Sequence, residues 1–290
     1  MAYIEASNLS KTFASASGPR HVLERVSLSV ERGEFVSIVG FMGCGKSTLL
    51  NILAGMTRAD TGEVRVDGQP IKGVNARASI VFQSYSLLPW FSALENVRLA
   101  VRAARPEQSR AEHRAQAERY LNLVGLGNAM QRRPGQLSGG MRQRVAIARA
   151  FATEPEVLFL DEPFGALDAL TRGNLQQELA RLCAVAERPV TTVMISNNLD
   201  EALLLSDRII PMTPGPRATL GTPVTVDLTR PRSAEQMLYD EQAVRARAKV
   251  VESLTEHVQS AKKSGARARA RGAAAASSLA HSPEPREADV

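Results

Sequence analysis

One short segment combines glycines, a lysine and a serine at a spacing that suits phosphate chemistry. Residues 40–48, GFMGCGKST, match the pattern G-x-x-x-x-G-K-[ST]. Glycines let successive backbone N–H groups face an anion, and a following helix N-terminus adds positive potential. Lys46 adds a fixed charge, and the Ser47 hydroxyl can bind Mg²⁺. The segment alone leaves open an ordinary turn between a strand and a helix. The predicted phosphate loop consists of Gly40, Phe41, Met42, Gly43, Cys44, Gly45, Lys46, Ser47 and Thr48.

Two neighbouring carboxylates follow an apolar run later in the chain. VLFL, residues 157–160, is followed directly by Asp161 and Glu162. The first acid is placed to hold Mg²⁺ through water, and the second to polarise an attacking water. A purely structural pair is the weaker alternative, because two desolvated acids without a cation are costly. With the phosphate loop, the pair predicts hydrolysis of a nucleoside triphosphate.

A second possible anion cradle lies between these two segments. LSGGMRQRVAIARA, residues 137–150, has a Ser-Gly-Gly turn (residues 138–140) at the start of a helical pattern. One nucleotide does not need two complete cradles in a single subunit. We therefore expect two subunits to share each nucleotide, with the phosphate loop of one facing Ser138, Gly139 and Gly140 of the other.

The elements that must position these residues alternate between β-branched runs and amphipathic stretches. Several runs are apolar on both faces, as parallel strands between helix layers are, and the alternation predicts an α/β fold. From about residue 92 to 131 the sequence is charged and helical, which predicts an attached helical lobe. The predicted strands are 34–39, 78–82, 157–160, 191–195 and 208–212.

Length and composition favour a cytosolic chain. The 290 residues allow one main domain with a lobe attached. Cys44 and Cys183 are far apart and lack metal-ligand spacing, which favours a reducing compartment without a disulfide or a structural metal. The N-terminus has no basic segment followed by an apolar one, and no apolar run approaches the ~18 residues that span a bilayer. We expect the chain by itself to be soluble.

The C-terminal segment 259–290 carries a large part of the formal net charge of +6. It is built mainly from alanine, arginine, serine and proline, so burial cannot offset its ordering entropy. The composition predicts a disordered basic tail. A solubilising extension and a polybasic contact with anionic lipid or nucleic acid both stay open.

The motifs, in this order and spacing, resemble those of the ATP-binding subunits of ABC transporters. The phosphate loop, LSGGMRQR, VLFLDEP and the Ala-Leu-Asp turn at 166–168 carry the resemblance, which covers roughly residues 1–228. It implies a P-loop NTPase core of the ABC type with a helical subdomain at about 86–140 and a helical extension at 229–258. It also implies ATP and Mg²⁺ as ligands.

The resemblance also implies roles for single residues. Gln83 would sense Mg²⁺ and the γ-phosphate and couple to membrane subunits, and Ser47 and Asp161 would help to hold the metal. Glu162 would orient the attacking water, and Asp168 would communicate across a dimer. A solvated loop amide is the alternative for Gln83.

Two aromatic residues have an implied binding role and a structural alternative. Phe13 takes the place of the adenine-stacking aromatic, and ordinary core packing is its alternative. Trp90, beside Pro89 and Phe91, lies in the region that receives the coupling helix of the membrane partner. Packing within the lobe core is the alternative for Trp90.

One position departs from the family pattern. Asn197 occupies the place of a histidine that approaches the γ-phosphate, and Asn198 follows it. An amide donates a hydrogen bond to phosphate but cannot become cationic, so we expect reduced or retuned activity rather than its loss. Asn197 and the Thr-Pro-Gly-Pro turn at 213–216 resemble the nitrate and cyanate branch of the nitrate/sulfonate/taurine importers. Local drift is the alternative.

The resemblance implies an ATP-hydrolysing importer subunit at the cytoplasmic side of the inner (plasma) membrane, with a nitrate-, cyanate-, sulfonate- or taurine-type substrate. The implied partners are a second copy or a paired ATPase subunit, permease subunits and, indirectly, a periplasmic solute-binding protein. No nucleic-acid partner is expected. Three alternatives stay open: a regulatory subunit with weak or no turnover, a soluble ABC ATPase acting on nucleic acid, and an exporter.

Overall fold

A computed structural model describes residues 2–16, 18–185, 190–229 and 232–256. Its elements in chain order are β1 (Ala2–Phe13), β2 (Arg20–Glu31), β3 (Phe35–Val39), α1 (Lys46–Leu53), β4 (Thr61–Val66), β5 (Gln69–Pro70), β6 (Ala78–Val81), α2 (Ala93–Ala104), α3 (Arg110–Leu123), α4 (Gly139–Phe151), β7 (Val157–Asp161), α5 (Ala169–Val185), β8 (Thr191–Ser196), α6 (Leu199–Leu205), β9 (Arg208–Pro211), β10 (Val224–Thr225) and α7 (Ala234–Tyr239). A further helical stretch covers 241–256.

The larger sheet has the strand order β10-β9-β3-β8-β7-β6. All of its pairs are parallel except β9 with β10. Every residue of β3 and β8 is buried, which explains why these strands are apolar on both faces. The five predicted strands and the α/β fold class are confirmed, with strand ends that differ by at most one residue.

A second, antiparallel sheet was missed by the sequence reasoning. Its order is β2-β1-β4-β5, and it brings the N-terminal strands over α1. The alternation of apolar and polar residues in VSLSVE, residues 26–31 of β2, is the sequence signal that could have revealed it. Gly62, with φ +84, allows β4 to approach β1 closely, because a Cβ there would lie 2.3 Å from the Ser7 carbonyl oxygen.

The helices between β6 and β7 begin at defined caps. The Ser92 hydroxyl accepts a hydrogen bond from the Glu95 N–H at the start of α2. Ser109 and Glu112 form a reciprocal capping box at the start of α3. Such caps are worth about 1 kcal/mol each. No strand occurs between 82 and 156, a stretch that is described in full. The domain boundaries stay predictions.

The C-terminal helices pack against α6. The Arg232 guanidinium is buried and donates hydrogen bonds of 2.7 Å to the carbonyls of Leu203 and Ser206. Ala243 and Val250 belong to the same buried cluster as Leu203. The predicted basic tail at 259–290 lies outside the described residues. Among the described helices, none combines the length and apolar character needed to cross a membrane.

Candidate functional site

The site forms where three parallel strands end side by side. The register pairs Val39 of β3 with Ser196 of β8, and Asp161 of β7 with Ile195 of β8. The phosphate loop, Asn197 and Glu162 therefore follow neighbouring strand ends. Carboxyl ends of parallel strands are the usual place for ligand sites in α/β sheets.

The phosphate loop needs glycine at positions where the backbone takes left-handed conformations. Gly43 has φ +74 and Gly45 has φ +115. A Cβ on Gly45 would lie 2.9 Å from a methyl carbon of Val22, so a side chain has no room there. The Phe41 and Met42 side chains are exposed, whereas Cys44 is buried, and burial raises the pKa of its thiol. The helix α1 then begins at Lys46 and directs its N-terminus toward the loop.

Lys46 is the buried centre of the site. Its side chain is 4% exposed. The ammonium donates to the carbonyls of Gly40 at 3.0 Å and Phe41 at 3.1 Å. It also donates to Oδ1 of Asn197 at 2.5 Å and lies 3.7 Å from Oε1 of Glu162. The charge is therefore held at the mouth of the loop by oxygen acceptors.

Asn197 links the lysine to the second carboxylate. Its Nδ2 donates to Oε1 of Glu162 at 2.6 Å. Glu162 has φ +44, a strained conformation for a residue with a side chain, and its N–H donates to the Ile195 carbonyl at 3.0 Å. Asn198 has a different task, since its side chain accepts from the Asp200 N–H and caps α6. The amide pair thus divides into one site residue and one helix cap.

The donor set beside the loop suits Mg²⁺. The Ser47 hydroxyl donates to Oδ1 of Asp161 at 3.1 Å. Burial raises the pKa of Asp161 more than this hydrogen bond lowers it, so a bound cation would stabilise the carboxylate. Gln83 lies close by, with its Nε2 3.5 Å from Oε2 of Glu162, a long contact for a hydrogen bond. Ser47, Asp161 and Gln83 could therefore hold the metal.

The Ser-Gly-Gly turn faces other neighbours. The exposed Ser138 caps α4, with its hydroxyl accepting from the Met141 N–H at 3.3 Å. A Cβ on Gly139 would lie 3.5 Å from the Tyr85 hydroxyl, and one on Gly140 would lie 2.5 Å from a Thr171 carbon. The structure thus places this turn beside residues that follow Gln83 and residues of α5.

Asp168 caps the start of α5. Its Oδ1 accepts from the Thr171 N–H at 3.0 Å, and this hydrogen bond holds the pKa of the exposed Asp168 carboxyl below its usual range. The residue thus has a local structural role in addition to any contact across a dimer.

Both aromatic candidates are exposed rather than packed in a core. Phe13 at the end of β1 is 40% exposed, and the Lys11 ammonium lies 5.3 Å from its ring centre. Trp90 is 63% exposed and borders a groove of about 620 Å³ lined also by Arg98, Arg110 and Arg133. The core alternatives for Phe13 and Trp90 are wrong.

The similarity of this chain to known proteins shows which family it belongs to. The family described as ABC transporter matches residues 23–165. The nitrate import ATP-binding protein NrtD of Synechococcus elongatus is 50% identical over 244 residues, which cover 84% of this chain and 88% of NrtD. The chain belongs to the ATP-binding subunits of ABC transporters. The predicted family is therefore confirmed, and the cassette is an ATPase of the ABC type.

Two further known proteins are similar to this cassette. The bicarbonate transport ATP-binding protein CmpC of a Synechocystis strain is 48% identical over 237 residues, 81% of this chain, but the chain spans only 35% of CmpC. A solved dimer of the ATP-binding cassette MJ0796, in a post-hydrolysis state bound to ADP and Pi, has a TM-score of 0.69. It is 31% identical and covers 78% of this chain and 100% of that one.

Two charged residues that are withdrawn from solvent, one half-buried and one buried, were missed by the sequence reasoning. Arg149 of α4 is half-buried and donates to the carbonyl of Tyr85 at 2.9 Å, where Tyr85 and Ser86 both have positive φ. Glu201 of α6 is 4% exposed. Acids are favoured in the first turn of a helix, so the sequence position of Glu201 predicted the start of a helix and not a buried carboxylate. Burial of these charges depends on packing between distant segments.

Proposed function

We propose that two copies of this cassette close around two ATP molecules and that each site is shared between them. The arrangement of Lys46, Asn197 and Glu162, linked at 2.5 Å and 2.6 Å, is the observation that carries the proposal. It supplies a phosphate-binding cation and a carboxylate in one place.

In the proposed mechanism the residues of the chain divide the work. Lys46 binds the terminal phosphates and offsets their charge. Glu162 orients a water molecule for in-line attack, and the Asn197 amide holds that carboxylate in position and donates to phosphate. Mg²⁺, when bound by Ser47, Asp161 and Gln83, neutralises phosphate charge. Phe13 takes the adenine ring on its exposed face.

The second half of each site comes from the partner copy. The Ser-Gly-Gly turn begins a helix of 13 residues whose N-terminus suits an anion, and its local neighbours are Tyr85 and Thr171 rather than Lys46. We place the γ-phosphate of one copy against Ser138, Gly139 and Gly140 of the other. Asp168 lies near the Ser-Gly-Gly turn and would contact the other copy.

A mixing experiment tests whether the sites are shared. Lys46→Ala removes the cation of the phosphate loop, and Ser138→Arg blocks the exposed turn without touching the loop. Each variant alone should lose ATP hydrolysis by about a hundredfold or more. A mixture should regain activity, because a mixed dimer has one site with two intact halves. Phosphate release as a function of mixing ratio measures this.

Two controls make the result decisive. Each variant is also mixed with itself at the same total concentration, and dimer formation is followed by size-exclusion chromatography with ATP. A mixture no more active than its parents, despite forming dimers, would contradict shared sites. So would full activity of the Ser138→Arg variant as a monomer.

We further propose that hydrolysis drives uptake of a small anion of the nitrate or bicarbonate type, with the cassette bound at the cytoplasmic face of a permease. The names of NrtD and CmpC, together with Asn197, support this substrate class. The exposed Trp90 and its arginine-lined groove support docking of the membrane partner there. A periplasmic solute-binding protein would deliver the anion.

Transport is tested with the membrane subunits that co-purify with the chain. After reconstitution in vesicles, uptake of labelled nitrate and bicarbonate should depend on ATP and stop with Glu162→Gln. Taurine serves as a sulfonate comparison. ATP-dependent movement of the anion in the opposite direction, or uptake of taurine alone, would contradict the proposal.

A further inference from the structure

Glu201 is a buried carboxylate that the proposed mechanism does not use. It lies in the first turn of α6 and is 4% exposed, and burial raises the pKa of its carboxyl. One oxygen accepts a hydrogen bond from Ser196 at 2.7 Å, and the other lies 3.8 Å from Nε of Arg172. Burying a charged carboxylate costs free energy, so the burial of Glu201 between two polar contacts needs a physical explanation.

On one side, Glu201 reaches the segment that carries Asn197. The Ser196 hydroxyl donates to Glu201 and accepts from the Asn198 N–H at 2.9 Å. Asn197 lies between Ser196 and Asn198 in the chain, and its side chain contacts Lys46 and Glu162. A shift of Glu201 would therefore move the backbone that aims the Asn197 amide.

On the other side, Arg172 belongs to the first turn of α5. Its N–H donates to the Asp168 carbonyl at 2.9 Å, and its Nη2 donates to the Leu167 carbonyl at 2.9 Å. The preceding residue, Thr171, is the neighbour that a Cβ on Gly140 would meet at 2.5 Å. Arg172 thus sits at the point where α5 contacts the Ser-Gly-Gly turn.

The ion pair between these two sides is loose. Nε of Arg172 is buried and makes no hydrogen bond within the described residues, and it faces Glu201 at 3.8 Å. The Glu201 side chain is 5% exposed and that of Arg172 is 32% exposed, so their charges interact more strongly than two fully exposed charges do, and the energy of the pair depends on its separation. The contact can therefore respond to movement at the start of α5.

We infer that Glu201 is a positioning residue that couples the Ser-Gly-Gly turn and Asp168 of a subunit to Asn197 of the same subunit. The route runs through Arg172, Glu201 and Ser196. Because the Ser-Gly-Gly turn serves the nucleotide bound by the partner, the route makes hydrolysis at the two sites cooperative. This inference rests on the proposed sharing of sites between two copies.

The test uses the full chain carrying Glu201→Gln, Arg172→Gln and both changes. Glutamine keeps an acceptor for Ser196 but removes the charge that attracts Arg172. We expect kcat to fall roughly three- to tenfold with little change in KM, in the range of mutations along coupled networks. The Hill coefficient for ATP should fall from a wild-type value between one and about two toward one. The double variant should lose no more activity than either single one.

Asp200→Asn is the matched control. Asp200 lies in the same helical turn and pairs with Arg247 at 2.5 Å on the C-terminal helix, away from α5. This variant should keep the wild-type kcat and Hill coefficient. Melting temperatures and ATP-dependent dimer formation are measured for every variant. If Glu201→Gln does not fold, Arg172→Gln against Asp200→Asn decides the question.

Several results would overturn the inference. These are a wild-type Hill coefficient of one, an unchanged Hill coefficient in Arg172→Gln, additive losses in the double variant, or an equal loss in Asp200→Asn. A failure of the mixing experiment with Lys46→Ala and Ser138→Arg would instead remove the shared sites themselves, so the two failures are distinguishable.

Discussion

The two halves of the proposed site are built in different ways. In the half around the phosphate loop, Lys46 is 4% exposed and meets Asn197 and Glu162, which arrive from other strands. In the half around the Ser-Gly-Gly turn, Ser138 is exposed and caps the helix that it begins. The first half depends on the packed sheet, and the second depends on local backbone geometry.

This difference shows where chemistry and control are located. Side chains that meet from three strand ends are held rigidly, which suits groups that must align with a reacting phosphate. An exposed helix N-terminus is available to a second molecule and can bind an anion without moving. Under the proposed sharing of sites, the sheet of one copy positions the reacting groups and a partner copy completes the pocket.

The largest effect on hydrolysis should come from a change in the half around the phosphate loop. Glu162→Gln keeps the size of the side chain but removes the carboxylate that is proposed to orient water, so phosphate release should fall about a hundred- to ten-thousandfold. ATP binding, followed by fluorescence titration, should persist. Glu118→Gln, which changes a half-buried acid on α3 that pairs with Arg114, is the matched control. Wild-type turnover in Glu162→Gln would show that another group activates the water.

A smaller effect is expected from a change of Asn197, whose amide links Lys46 to Glu162 in the half around the phosphate loop. Asn197→Ala removes hydrogen bonds to a lysine and a carboxylate, so kcat should fall about ten- to a hundredfold. Asn197→His restores the usual family residue and should equal or exceed the wild type. Steady-state ATPase assays, with Glu162→Gln as the inactive reference, measure both variants. An Asn197→Ala enzyme with wild-type kcat would contradict the assigned role.

The smallest effect on hydrolysis is expected from the exposed Trp90. Trp90→Ala should leave the ATPase activity of the isolated chain unchanged, because the groove that Trp90 borders includes none of the residues that contact Lys46. Co-purification with the membrane subunits should fall about tenfold or more, as for an aromatic hot spot. Tyr239→Ala changes a more exposed aromatic residue on α7 and should have no effect. Undiminished assembly of Trp90→Ala would count against docking at this groove.

The sequence by itself determined the chemistry and much of the larger sheet. The phosphate loop needs glycine at 43 and 45 because the backbone is left-handed there, and such a requirement is written in one local stretch. Asp161 ends, and Glu162 follows, a strand whose burial on both faces makes it apolar, and its limits were therefore predictable within one residue.

Only the tertiary structure decided which side chains meet. Strand order is a matter of long-range pairing, so the sequence could not show that β8 lies between β3 and β7 and brings Asn197 between Lys46 and Glu162. The sequence also gave no sign that Glu201 would be buried between Ser196 and Arg172, because an acid in a first helical turn is usually solvated. Burial and pairing of charges arise when distant segments pack, and local patterns do not record them.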